Sequence, residues 1–151
     1  MLAGMTQHET DQYNIQTCKS IAFNLQKIAI GVAYFCPECG EMIYPVYGNE
    51  EAYCHECDKT FDVDDLTRYT MKDYFECCSY WFRVSSELKY QGVEVQVCGG
   101  GPSVYVNTCT GLVELHWMSD SAVYAMSTSA IVEVNKYFDE VYRRKYESRI
   151  L

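Results

Sequence analysis

Apolar residues recur at three- and four-residue intervals early in the chain: Ile15, Cys18, Ala22, Leu25, Ala29 and Val32. That spacing puts them on one face of a helix, and Thr10 or Asp11 supplies an N-cap, so the pattern predicts a first helix over residues 11–33. Residues 1–10 show no periodicity and are expected to form a flexible N-terminus. A softer helical stretch starts at Val63 to Leu66 and reaches Cys78, with Tyr74, Phe75 and Cys78 toward a core. Beyond it the period drops to two. The segments Tyr80–Glu87, Gly92–Cys98, Ser103–Asn107, Leu112–Met118 and Ser121–Ala125 read as strands; in the second, Val93, Val95 and Val97 face one way while Glu94 and Gln96 face the other. Turn residues separate these strands at Gln91-Gly92, Gly99-Gly100-Gly101-Pro102, Thr110-Gly111 and Ser119-Asp120. Gaps this short favour an antiparallel meander over crossover connections. Ile131, Val134, Phe138 and Val141 mark a closing helix from Ser127 to Tyr146, with Arg143, Arg144 and Lys145 in its last turns, where the helix dipole favours cations.

The predicted fold class is therefore α+β: a four- or five-stranded antiparallel sheet over residues 80–125, covered on its apolar face by the N- and C-terminal helices. A length of 151 residues has room for one such domain with an insert. The domain is expected to comprise residues 11–34 and 62–148, with an insertion at 35–61. The longest apolar run, Ile28–Phe35, is far shorter than the roughly 20 residues that span a bilayer, and no signal-peptide pattern opens the chain. A cytoplasmic protein without membrane association is expected.

The insertion changes the picture most. It carries Cys36-Pro37-Glu38-Cys39-Gly40 and Cys54-His55-Glu56-Cys57-Asp58, two Cys-x-x-Cys turns separated by the fourteen residues from Gly40 to Tyr53. Four thiolates at this spacing suit tetrahedral zinc. Gly40 follows the second ligand of its pair, where the backbone must turn sharply; Asp58 takes the same place in the other pair and tolerates such turns. Tyr34, Ile43, Tyr44, Tyr53 and Phe61 are expected to build the strands that lean on the metal. One structural zinc ion on Cys36, Cys39, Cys54 and Cys57 is the reading, since closed four-thiolate coordination leaves no position for water. An iron centre or a redox dithiol fits less well, because a redox pair has no need of a matching second pair. His55, between ligands, is expected to be exposed. The remaining cysteines, Cys18, Cys77, Cys78, Cys98 and Cys109, are read as reduced core thiols.

A net charge of -9 argues against general attraction to a phosphate backbone, which is driven by Lys and Arg. From Glu38 to Glu76 eleven acids face three bases, so the ribbon lies in the most acidic part of the chain. Glu50, Glu51, Glu56, Asp58, Asp62, Asp64 and Asp65 are candidate contacts to a protein with a basic surface. Chemistry elsewhere is sparse. The Gly-rich loop at 99–101 is followed by no Gly-Lys-Ser/Thr and leads into a strand, so it reads as a strand connection and not a phosphate cradle. His116 is the one candidate base, two residues from Glu114 on a strand whose other face carries Val113, Leu115 and Trp117. Tyr105, Asn107, Glu114, His116 and Tyr124 are expected to line one polar sheet face, with Tyr105, Glu114 and Trp117 as further candidate partner contacts.

The order Asp73-Tyr74-Phe75, Gly92-Val93-Glu94-Val95, Cys98 to Thr108, Val113-Glu114-Leu115-His116-Trp117 and Val134-Asn135-Lys136-Tyr137-Phe138 resembles a small domain found in proteins of phages, plasmids and integrative elements of Firmicutes and gut bacteria. Its pattern is a Gly-Gly-Pro strand pair, a Val-Glu-Leu-x-Trp strand and a closing helix. The usual form of that domain has no ribbon, which marks residues 35–61 as an insertion. The resemblance implies a mobile-element protein that opposes host defence, including anti-CRISPR proteins that bind an effector directly. The expected function is thus non-enzymatic: an inhibitor whose acidic surface binds a basic, nucleic-acid-binding protein such as a CRISPR effector. The alternatives are a zinc-ribbon adaptor that binds nucleic acid or transcription machinery through Lys136, Arg143, Arg144, Lys145 and Arg149, and a small enzyme using Glu114 and His116.

Overall fold

A computed structural model describes residues 4–46, 48, 50–99 and 101–147. The first helix, α1 (Gln7–Ala29), starts four residues earlier than the apolar pattern implies. Its cap is Thr6, whose hydroxyl accepts from the Glu9 amide at 3.1 Å, and Thr6-Gln7-His8-Glu9 is the sequence form of a capping box. The apolar pattern missed this turn because the core-facing residues there are polar: Thr10 and Asn14 are buried in line with Cys18, Ala22, Leu25 and Ile28. Ile15, expected on that face, is 39% exposed. Residues 7–10 are therefore helix and not a flexible end, and His8 lies on its exposed side. The helix also stops short of residue 33. Gly31 takes φ 77°, its amide reaches Ile28 O and the Val32 amide reaches Lys27 O, which is the paired bonding of a Schellman stop.

Two short hairpins follow, β1 (Tyr34–Phe35) with β2 (Met42–Ile43), and β3 (Glu51–Cys54) with β4 (Lys59–Asp62). The expected second helix from 63 to 78 breaks into pieces. A 3-10 turn, Val63–Asp65, is capped by Asp62; residues 66–70 are extended; and only α2 (Met71–Phe75) is helical, with a full Thr70/Asp73 capping box. The extended stretch is held by β1, where the Phe35 amide donates to Thr67 O and the Tyr69 amide to Ala33 O, both at 2.9 Å. That pairing outweighs helix formation.

The sheet matches its expected strands closely: β5 (Ser79–Val84), β6 (Tyr90–Cys98), β7 (Ser103–Asn107), β8 (Leu112–Trp117) and β9 (Asp120–Ala125), five antiparallel strands in sequence order. Val93, Val95, Val104, Val106, Val113 and Leu115 are all at or below 1% exposure on one face. Against that face lie α1, over β8 and β9, and α3 (Thr128–Tyr142), over β6. The fold class is α+β, with N- and C-terminal helices on one side of the sheet. Ser127 caps α3 by accepting from the Ala130 amide and also donates to Gln26 of α1, which ties the two helices together. The closing helix, expected to reach Tyr146, ends as a π-helical turn, Arg143–Glu147. No helix among the described residues is long and apolar enough to cross a membrane.

Register corrects one assignment. Tyr124 pairs with Val113 and Val123 with Glu114, and paired residues share a face. Tyr124 therefore lies on the helix side, and Val123 takes the place expected for it beside Glu114. Trp117 is also on the helix side, half-buried with its indole nitrogen shielded from solvent. Another correction concerns the thiols expected in the core: Cys18 is buried and Cys78 half-buried, but Cys77, Cys98 and Cys109 are exposed. Gly92 explains itself by proximity, since a Cβ there would meet the Cys109 sulfur at 2.4 Å.

Phe138 is the largest fully buried side chain and packs on Phe75, Tyr80, Phe82 and Tyr137. Phe138→Ala should cost about 3–5 kcal/mol, the usual range for an aromatic deleted from a tight core. Urea unfolding followed by far-UV circular dichroism measures it; a loss under about 1 kcal/mol would contradict the packing described.

Candidate metal centre and acidic surface

The four cysteine sulfurs of the two knuckles all lie within 4.8 Å of one another, which makes the cluster a site that can hold a metal ion. Cys36 Sγ is 3.8 Å from Cys57 Sγ, and Cys39 Sγ is 3.6 Å from Cys54 Sγ. The backbone brings them together by the same device twice. Gly40 stands at φ 77° after Cys39, and Asp58 at φ 51° after Cys57, both in the left-handed region. The Gly40 amide returns to Cys36 O at 2.9 Å, and Cys36 N donates to Glu41 O at 2.8 Å. Asp58 in turn accepts from the Tyr53 hydroxyl.

A separate small core stands behind the sulfurs: Cys36, Ile43, Ala52 and Cys54, with Tyr34, Phe61, Val63 and Leu66 packed against it. Tyr34, Ile43, Tyr53 and Phe61 sit on the ribbon strands as expected. Tyr44 does not: its ring meets Phe23 of α1 edge-on at 5.4 Å, and the Lys27 ammonium lies over both rings. His55 is exposed, against the Tyr53 ring, and does not join the sulfur cluster.

The thiols do not ionise alike. Desolvation raises the Cys36 thiol, but amide donation from Cys39 and Glu38, with help from the Cys39 and Cys54 thiols, outweighs it and lowers its pKa to about 7. Cys57 is pushed up to about 12, by its thiol contact with Cys39 first and by desolvation second. Each thiolate formed makes the next harder to form, so four can coexist at these distances only around a cation.

The acidic residues are sorted by the same hairpins. Residues 36–66 hold nine acids and one base, and all nine acids are exposed. Glu51 is the cross-strand partner of Asp62, and the Val63 amide donates to Glu50 O at 3.0 Å. Glu50, Glu51, Asp62, Asp64 and Asp65 therefore gather at the open end of the β3–β4 hairpin. Like charges directly opposite on a sheet are destabilising. At the other end Lys59 bridges to Glu38 at 2.6 Å, near Glu56 and Asp58, and this is the one ion pair within the ribbon among the described residues. Between the two hairpins a cleft of about 230 Å3 is floored by Ile43, Tyr44 and Tyr53 and flanked by Glu41 and Glu56.

The remaining candidates fall elsewhere. Tyr105 and Glu114 are half-buried on the outer sheet face as paired residues, while Trp117 lies on the opposite side of the sheet and joins neither. Glu114 accepts from the Thr110 hydroxyl at 3.1 Å, and His116 is exposed beside the Tyr105 ring. On the last helix Arg143 pairs with Asp139 and Arg144 with Glu140, Lys145 donates to the Tyr80 hydroxyl, and Arg149 lies outside the described residues.

Cys36→Ser and Cys54→Ser should each abolish metal retention, read as metal per chain by inductively coupled plasma mass spectrometry, while Cys98→Ser leaves it unchanged. Retention in both ribbon variants would remove the cluster as the site. No protein-family model, curated protein or solved structure matches this chain.

Proposed function

We propose that the protein is a non-enzymatic interaction module in which one structural zinc ion fixes an acidic ribbon that docks on the basic, nucleic-acid-binding surface of another protein. The observation that carries this is the nine exposed acids against one base on the ribbon. Zinc accounts for the donor set. With zinc–sulfur bonds of about 2.3 Å a tetrahedron separates its sulfurs by about 3.8 Å; two of the six sulfur pairs stand at 3.6 and 3.8 Å, and all lie within 4.8 Å. Four thiolates around a divalent ion keep a net charge of about -2, so the metal leaves the ribbon acidic while fixing its shape. The cleft between the hairpins suits a partner's Lys or Arg, with its aliphatic stem on Ile43 and Tyr53 and its head between Glu41 and Glu56.

Such a surface competes with DNA or RNA for the partner. The resemblance of the segments between residues 73 and 138 to mobile-element proteins gives this activity a setting, inhibition of a host defence nuclease of the anti-CRISPR kind. The adaptor reading needs a basic patch on the last helix, and the pairing of Arg143 and Arg144 with acids of their own helix argues for the inhibitor instead.

The test is affinity capture from a lysate of bacteria carrying defence systems, with wild type beside a variant bearing Glu50→Gln, Glu51→Gln, Asp64→Asn and Asp65→Asn. At about 0.5 kcal/mol per exposed charge, the four changes should weaken binding roughly thirtyfold, and added salt should do the same by screening. Nucleic-acid-binding proteins lost from the variant support the reading; tight, salt-sensitive binding of the wild type to DNA itself would overturn it. Chelation tests the metal separately: the amides of residues 34–62 should lose hydrogen-exchange protection while those of the sheet keep it.

A further inference from the structure

The two edges of the sheet are treated differently. Along β9, α1 seals the edge: the Cys18 thiol reaches Ala122 O at 3.8 Å, and the Gln7 side chain reaches Asp120 at 3.0 Å. Among the described residues β5 pairs only with β6, so alternate backbone N–H and C=O groups along its outer side meet no strand. Proteins usually blunt such an edge with proline, lysine or an inward charge. Ser79–Val84 reads Ser-Tyr-Trp-Phe-Arg-Val, a run of strong strand formers without Pro or Gly.

Apolar side chains crowd this edge. Trp81 is 53% exposed, Leu88 53%, Tyr146 43% and Val84 37%, and with Phe82 and Tyr142 they line a groove of about 610 Å3, whose one charged lining residue among the described residues is Lys145, its ammonium over the Tyr80 ring. Leu88 holds φ 61°, a conformation that glycine or asparagine adopts at lower cost, and its carbonyl is pinned by the Tyr142 hydroxyl. A large apolar residue is thus kept strained and exposed where a turn residue would serve.

We propose that this edge pairs antiparallel with the same edge of a second copy, joining the two sheets about a two-fold axis perpendicular to them. Such an axis must pass through a residue pair, because paired residues share a face. Centred on Phe82, the register sets Trp81 opposite the second copy's Arg83 on the outer face, twice over, a cation above an indole each time. On the groove side it sets Tyr80 opposite Val84 and Phe82 opposite itself, so the space beyond the edge fills with apolar side chains. The charge distribution allows the approach. Outside residues 36–66 twelve acids face eleven bases, so the net charge of -9 resides almost wholly on the ribbon and little of it lies at the contact.

Sedimentation equilibrium at roughly 0.1 mM, high enough to populate a micromolar association, should give twice the 17.4 kDa chain mass. Trp81→Lys puts a second cation opposite each Arg83, lysine against arginine, and should return the monomer. Arg83→Asp, also at an exposed site, should raise the dimer dissociation constant about tenfold or more. Circular dichroism and metal content unchanged from wild type establish that the variants fold. The amides of β5 should exchange more slowly at high protein concentration than on dilution. A wild-type monomer at that concentration overturns the proposal, as does a dimer untouched by both variants or β5 exchange independent of concentration; the edge would then be open to a different protein's strand.

Discussion

Backbone bonds between residues 33–35 and 67–69 are the constraint on which the arrangement of the molecule turns. Phe35 N to Thr67 O and Tyr69 N to Ala33 O, with the Phe35 and Tyr69 rings in a tilted contact at 4.5 Å, bring the two ends of the ribbon side by side. Because entry and exit are one strand spacing apart, the rest of the chain passes from α1 to α2 as though the intervening residues were a long loop. Loop closure grows only slowly more costly with length, so a module of this size sits here without disturbing the sheet. The same ladder determines α2: by holding residues 66–70 extended, it confines the helix to the single turn that Thr70 and Asp73 cap.

This arrangement separates two physical problems. The main domain folds by apolar burial, with a valine-rich sheet face under two helices, and carries almost no net charge. The ribbon has a core of four buried residues, two of them cysteines, too small to hold nine exposed acids together by burial alone. Charge repulsion that would tax the main core is placed instead on the element whose stability a cation in the sulfur cluster can supply. Lys59 shows the balance locally, its ammonium held protonated by the Glu38 hydrogen bond first and then by the Glu38 charge, with smaller help from the nearby thiolates.

How much of this was legible in the sequence depended on which signal each element uses. Strands with strict alternation, such as Val93 to Val97, were readable to within a residue or two, and the sulfur cluster followed from spacing alone, including the turn at Asp58. Signals failed where burial and polarity part company. Thr10 and Asn14 are buried polar residues on the core face of α1, and they hid its first turn. In β9 both faces carry apolar residues, Ala122 and Tyr124 on one and Val123 on the other, so its facing is decided by pairing with β8 and not by pattern. Cysteine reads as a core residue by type, yet three of the five outside the cluster are exposed, because their places are set by a turn, a strand end and a hairpin that the residue type does not report. The gathering of acids at the hairpin base was likewise invisible along the chain, since Glu50 and Glu51 meet Asp62, Asp64 and Asp65 only through β3–β4 pairing.

That pairing bears on how an acidic surface could bind tightly. Acids on a flexible tail attract a basic partner, but ordering the tail on contact consumes part of the gain. Acids on a hairpin clamped at one end by four sulfurs, and joined to the domain at the other by the 33–35 and 67–69 ladder, are positioned beforehand. In the interaction proposed above, the cross-strand Glu51–Asp62 repulsion would work in favour of binding, because a partner cation would relieve in the complex a cost that the free protein already carries. Clamp and charge are therefore coupled: loosening the sulfur cluster would let the acids spread apart, lowering their repulsion in the free state and with it the advantage of meeting a cation.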